Sequence, residues 1–183
     1  MSTAFPGFNT PAASTEAPLE MLLACHHRIR HQCQVLQRLH AHLPVHGSDQ
    51  QAQDAARSIT RYFETAAVDH HADEEEDLFP ALMESVAGSD PVCIRQAIER
   101  LTHEHRQLEA SWDKLRPVLQ RIANGEQAEL SEDLVQTFIQ AYDAHIALEE
   151  EELLPMADRL LSAPDLERIG RAMRLRRGIT HID

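Results

Sequence analysis

A motif of one histidine and a doubled glutamate occurs twice in this chain at a fixed spacing, and it narrows the folds open to it. The first copy runs His70-His71-Ala72-Asp73-Glu74-Glu75-Glu76-Asp77-Leu78-Phe79-Pro80, and the second His145-Ile146-Ala147-Leu148-Glu149-Glu150-Glu151-Glu152-Leu153-Leu154-Pro155. The two copies stand 75 residues apart, and upstream Phe63 with Phe138 and Ala66 with Ala141 keep the same offset. A weaker match, at an offset of 79, joins Leu22, His26, Ile29, Cys33 and Leu36 to Leu101, His105, Leu108, Trp112 and Leu115. The chain reads as two related helical hairpins packed together.

Helix is the expected state throughout. No stretch alternates apolar and polar residues, glycine is scarce at 6 in 183 residues, and Leu, Ala, Glu, Gln and Arg dominate. The pattern predicts an up-down antiparallel four-helix bundle in the span 18–161. Its helices run from about Pro18 to Leu43, Gln50 to Val86, Pro91 to Ala123 and Ser131 to Leu161, with breakers at Pro44–Asp49, Gly88–Pro91 and Asn124-Gly125. Pro117 marks a place for a kink. Residues 1–17, rich in Pro, Ser, Thr and Ala, read as a disordered tail. Residues 162–183 read as a short basic helix, about 164–177, stopped by Gly178 and docked on the acidic bundle.

Helical geometry places the repeated polar residues inward. Residues four apart lie about 40° apart around the axis, so His70 shares a face with Glu74, and His145 with Glu149. Phe63 and Ala66, and their counterparts Phe138 and Ala141, lie on the same faces. His26 sits in the stripe of Leu22, Ile29 and Leu36, and His105 between Leu101 and Leu108. Four imidazoles and two carboxylates buried without partners would cost several kcal/mol each. Shared cations remove that cost. His26, His70, Glu74, His105, His145 and Glu149 are the candidate metal ligands. Six donors exceed what one tetrahedral zinc takes, so two ions bridged by the two carboxylates fit better. Imidazole with carboxylate suits iron, zinc or manganese. No Glu is followed three residues later by His, which sets this chain apart from the Glu-x-x-His bundles.

The formal net charge of −13 argues against nucleic acid or an anionic membrane as a partner. No apolar run is long enough to span a bilayer, and no basic region followed by an apolar run marks a secretory signal. Three cysteines, Cys25, Cys33 and Cys93, without a C-x-x-C pair fit a reducing cytoplasm.

These residues resemble the hemerythrin-like, or HHE cation-binding, family. The match consists of both His-x₃-Glu-Glu-x₂-Leu-(Phe/Leu)-Pro copies, Glu104-His105, and Cys25-His26-His27-Arg28-Ile29, and it spans roughly 18–161. The resemblance implies a centre of two non-haem iron ions with oxo or hydroxo and carboxylate bridges, zinc or manganese being substitutes. Members of the family bind O₂, sense oxygen or iron, or help repair iron–sulfur centres. Oxygen carriers place two histidines four apart on the third helix, where this chain has Leu101 or Glu109 around His105. They also use His-x₄-Asp on the fourth helix, where this chain has His145-x₃-Glu149. The sensing and repair branches are therefore closer than simple oxygen carriage.

The expected partner is a small ligand such as O₂ or nitric oxide, with room for a protein partner or a homodimer. Enzyme activity is left open and is the less favoured reading, because no nucleophile–base pair or cofactor loop supports it. Iron–sulfur repair is the alternative, disfavoured by a residue 1–17 segment without the cysteine that repair members carry. A zinc-bound or metal-free structural bundle is the further alternative. Glu109 is left between seventh ligand and salt-bridge partner, Tyr142 between a supporting role and plain packing, and His26 is preferred over His27. His71 and His103 read as off the stripe, supporting or solvated. His31, His40, His42, His46 and His181 read as surface residues, and Cys25 and Cys33 as small core residues.

Overall fold

The structure, a computed structural model, describes residues 17–86 and 92–179. Residues 1–16, His181 and the Gly88–Pro91 connection lie outside the described residues. Among the described residues there is no strand, and the helices form an all-α bundle of four long helices with a short fifth.

Helix α1 is Pro18–His46, with proline at its first turn, where the missing N–H is no loss. It runs past Pro44, the expected terminator, and ends at Gly47, whose φ of 64° only glycine adopts readily and whose N–H donates to the Leu43 carbonyl at 2.8 Å. A substituent on Gly47 would also meet the Gln127 side chain at 2.9 Å. Helix α2 spans residues 50–85 and is capped by the Asp49 carboxylate, which accepts from the Ala52 N–H at 2.9 Å. It is not the continuous α-helix the pattern predicts. It breaks at Thr65 (φ −128°, ψ −81°), whose hydroxyl donates to the Arg61 carbonyl at 2.6 Å and competes with the helical ladder. It then widens into a π turn over Asp73–Leu78 before ending as Phe79–Ser85.

Helix α3, Val92–Ala123, passes through Pro117 without interruption. Helix α4 covers residues 132–160, starts on the Ser131 cap, and contains a second π turn at Glu149–Leu153. Helix α5, Ala163–Arg176, opens with a capping box between Ser162 and Asp165.

Helices α1 and α3 each pack against both α2 and α4. The buried apolar residues fall into two clusters. One holds Ile29, Phe63, Leu108, Phe138 and Ile146, and the other Leu22, Leu78, Leu101 and Leu153. On every long helix the boundary between clusters falls where the candidate ligand sits: His26 between Leu22 and Ile29, His105 between Leu101 and Leu108. A polar layer is thus clamped between two apolar ones, each large side chain contributing about 1.5–3 kcal/mol by its burial.

Candidate metal centre

All six candidate ligands reach the polar layer. His26, His70, Glu74, His105 and Glu149 are 0% exposed and His145 1%. They form two groups that share both carboxylates. The ligand atoms of His26, His70, Glu74 and Glu149 lie within 4.8 Å of one another, and so do those of Glu74, His105, His145 and Glu149.

The carboxylate oxygens are divided between the two groups. Glu149 turns Oε2 toward His26 Nε2 at 3.0 Å and Oε1 toward His145 Nε2 at 3.0 Å. Glu74 turns Oε1 toward His70 Nε2 at 3.5 Å and Oε2 toward His105 Nε2 at 3.2 Å. His105 Nε2 and His145 Nε2 stand 3.1 Å apart. Two donors at ~2.1 Å from one ion and at right angles to it would be ~3 Å apart. These separations are those that ligands of a shared cation would have.

Hydrogen bonding leaves most of these atoms unsatisfied. His26 Nε2, both ring nitrogens of His70 and both oxygens of Glu74 and of Glu149 are buried without a hydrogen-bond partner. The close ion-pair separations lack hydrogen-bond direction. So many orphaned polar atoms facing one point would destabilise a core by several kcal/mol without a cation between them, so the donor set fits a pair of metal ions.

The far nitrogens of three histidines are held by acids. Glu150 Oε1 lies 3.0 Å from His26 Nδ1, Glu75 Oε1 2.7 Å from His105 Nδ1, and Glu104 Oε2 3.0 Å from His145 Nδ1. A carboxylate at Nδ1 keeps the proton there and leaves Nε2 bare for a cation. In each repeat the first glutamate of the doublet therefore faces the centre, and the second orients a histidine of a neighbouring helix. The doublet itself is the sequence signal for this role, which ligand counting overlooked.

The π turns fix the two central glutamates from behind. Phe79 N–H donates to the carbonyl of Glu74, and Leu154 N–H to that of Glu149, five residues back in both cases. Pro80 and Pro155 follow directly. A proline ring has no N–H to give and crowds the carbonyl four residues earlier, so a widened turn relieves both copies.

In the metal-free protein, burial holds His70 well below the ordinary imidazole range, with the neighbouring His26 adding to it. Burial, followed by the nearby Glu149 carboxylate, pushes Glu74 well above the usual carboxyl value. Burial works the same way on Glu149, but the close imidazoles of His145 and His26 overcome it and hold this group well below. For His145, burial is outweighed by Glu149 and Glu104, and the net shift is upward.

His27 and His103 are exposed. Glu109 is not at the centre: its side chain is 51% exposed and pairs with Arg106. One turn beyond His105, it faces away from the layer. Tyr142 is buried among Phe63 and Phe138. His71 is neither solvated nor remote. It is 8% exposed and its ring stacks on that of His105 at 4.0 Å. His40 is partly buried and lies 2.9 Å from the Leu130 carbonyl.

Arg176, the last residue of α5, and Arg177, which caps it, both bind the buried Asp73 carboxylate, and Arg176 also binds Glu76 at 2.7 Å and Asp77 at 3.0 Å. The short basic helix is thereby tied to the π turn that carries Glu74. No described helix is long and apolar enough to cross a membrane.

An uncharacterized protein of Haemophilus influenzae is 35% identical over 167 residues, covering 91% of this chain and 94% of that protein. The sequence profile of the hemerythrin HHE cation-binding domain matches residues 17–157, a span that takes in all six inward-facing histidines and glutamates. With the four-helix architecture and two groups of His and Glu able to hold cations, the chain belongs to the hemerythrin HHE cation-binding family.

Proposed function

We propose that this protein is a non-haem di-iron protein of hemerythrin type that binds or senses O₂, nitric oxide or redox state. The observation that carries this reading is the division of the Glu74 and Glu149 oxygens between two histidine pairs. Each position then has two imidazoles and two carboxylate oxygens. Four donors of this kind close a tetrahedral zinc site but leave an octahedral ion two positions short. Iron there would supply reversible electron transfer and open coordination positions.

The chain's own residues do the rest. Glu75, Glu104 and Glu150 keep three histidines in the tautomer that presents Nε2. The apolar clusters above and below exclude water. All three cysteines are free, Cys25 and Cys33 being buried, which supports a reducing cytoplasm as the setting.

Iron analysis and visible absorption after anaerobic reconstitution test this. About two irons per chain, with absorption that changes on exposure to air, are expected. Fewer than about one iron per chain, or tight zinc that iron cannot replace, would overturn it.

A further inference from the structure

A second pair of histidines lies outside the polar layer. His42 and His46 stand four apart at the end of α1, so they share one face of its last turns, and Asp49 follows three residues on. His42 is 16 residues beyond His26 on the same helix. At the α-helical rise that is about 24 Å along the axis, well clear of the candidate metal centre.

The chain reversal at Gly47 brings the three side chains together. One ligand atom of each lies within 4.8 Å of the other two. His42 Nε2 is 3.0 Å from Asp49 Oδ1, and the rings of His42 and His46 stack at 4.4 Å with 27° between their planes. The joint beneath them is pinned. The hydroxyl of the buried Ser48 donates to the Glu126 carbonyl at 2.6 Å, and the Gln53 amide donates to the Ser48 carbonyl at 3.1 Å. Asp49 is itself fixed as the cap of α2. A carboxylate accepts at several positions, so it can serve the cap and a cation together.

The donor set selects the ion. Two imidazole nitrogens and one carboxylate oxygen suit a divalent transition ion, zinc above all, with water in a fourth tetrahedral position. Calcium and magnesium prefer sites built of oxygen alone. A tetrahedral zinc with bonds of about 2.1 Å holds its ligand atoms about 3.4 Å apart. His42 and Asp49 already stand that close. His46 is exposed at the end of α1, where a change of rotamer closes the remaining gap. The terminal carbonyls of α1 add negative potential at the same place. His42 is partly exposed and Asp49 exposed, so an ion reaches the group from solvent.

We propose that His42, His46 and Asp49 form a second, solvent-accessible site for a divalent transition ion of the zinc class. The bound ion staples the last turns of α1 to the cap of α2. The site is independent of what the bundle core holds.

Zinc titration of the full chain by calorimetry tests this, with the core positions filled beforehand and unbound metal removed by desalting. The wild type should take up one further zinc per chain with a Kd of about 1–10 μM. His42→Ala and His46→Ala should each weaken that uptake at least about tenfold, and Asp49→Asn, which keeps a capping side chain, about three- to tenfold. His103→Ala, an exposed histidine on α3, should leave it unchanged. Zinc at about 100 μM should raise the Tm of the wild type by a few degrees and leave that of His46→Ala unmoved.

No uptake beyond the core at about 100 μM zinc overturns the site. Uptake that survives in His46→Ala, at the exposed end of α1, places the zinc elsewhere and overturns it even if His42→Ala fails to fold. Displacement of the zinc by an equal concentration of calcium or magnesium overturns the assigned ion class. Zinc that binds without raising the Tm overturns the staple.

Discussion

Cys25 stands where the internal repeat would place the counterpart of Glu104: each directly precedes the inward histidine of its helix, 79 residues apart. The replacement has a visible effect. Glu104 Oε2 lies 3.0 Å from His145 Nδ1, while His70 Nδ1 is buried with no hydrogen-bond partner. Burial pushes the Cys25 thiol up, so it stays neutral at pH 7 and cannot act as a carboxylate does. One histidine of the four therefore lacks the acid that fixes the other three.

Glu104→Ala should weaken metal retention by about 10–100-fold, the usual effect of losing the acid behind a ligating histidine. Cys25→Ala should leave it within about threefold, since no such bond is lost. Competition with a coloured chelator measures both. Equal losses in the two variants would show that the orienting bond is not what matters at Glu104.

The tie between α5 and the π turn predicts a stability effect with a built-in control. Asp73 is fully buried; burial raises its carboxyl and the two arginines pull it back. Arg177→Ala leaves a buried carboxylate short of one cation, which should destabilise the fold by about 2–4 kcal/mol by urea denaturation. Adding Asp73→Asn to that variant removes the charge and should restore a good part of the loss. If the double variant is no more stable than the single, the pair is not coupled.

Much of this was legible in the sequence, for a physical reason. Helical faces are set by local spacing, so the offset of 75 between copies and the stripes through His26 and His105 were enough to place six side chains in one layer. Features set by departures from a uniform helix were harder to read. The π turns are signalled only by Pro80 and Pro155, each six residues after a central glutamate. His71 lies 100° from His70 on an ideal helix, which reads as off the stripe. In the bundle that direction points at α3, and the neighbouring helix buries it. Glu109 errs the other way: a plausible donor one turn from His105 that Arg106 holds at the surface. That Asp73 would be the docking point for α5 could not be read from sequence, because it depends on how two helices meet.

The metal-free protein should lose stability in mild acid. Burial lowers His70 and His71 well below the ordinary imidazole value and His105 to a lesser degree. Below about pH 6.5 the unfolded chain takes up protons that these folded histidines refuse, so stability falls as pH falls through that window. Glu74 and His145 work in the opposite sense. Both are raised in the folded state, so their contribution is present at low pH and is lost as pH rises through the raised values. Calorimetry of the metal-free protein should show a lower Tm at pH 5.5 than at pH 7, and His71→Leu should flatten the slope. The metal-loaded protein should melt several degrees higher at pH 7, with the gap closing in acid as protons displace the ions.

The sharing of Glu74 and Glu149 between two positions makes the carboxylates and the histidines behave differently on removal. His26 faces only the group it forms with His70, and His145 only the group it forms with His105. His26→Ala or His145→Ala should therefore leave the other position intact and lower the iron content from about two to about one per chain. Glu149→Ala removes one oxygen from each position and a carboxylate that His26 and His145 both approach at 3.0 Å, so content should fall below about one. Glu149→Gln keeps the volume and one acceptor oxygen, so it separates loss of charge from loss of packing. If Glu149→Gln holds as much iron as wild type, the carboxylate does not bridge. If His26→Ala loses both ions while remaining folded by circular dichroism, the two positions form one indivisible unit, and the reading of them as separable halves fails.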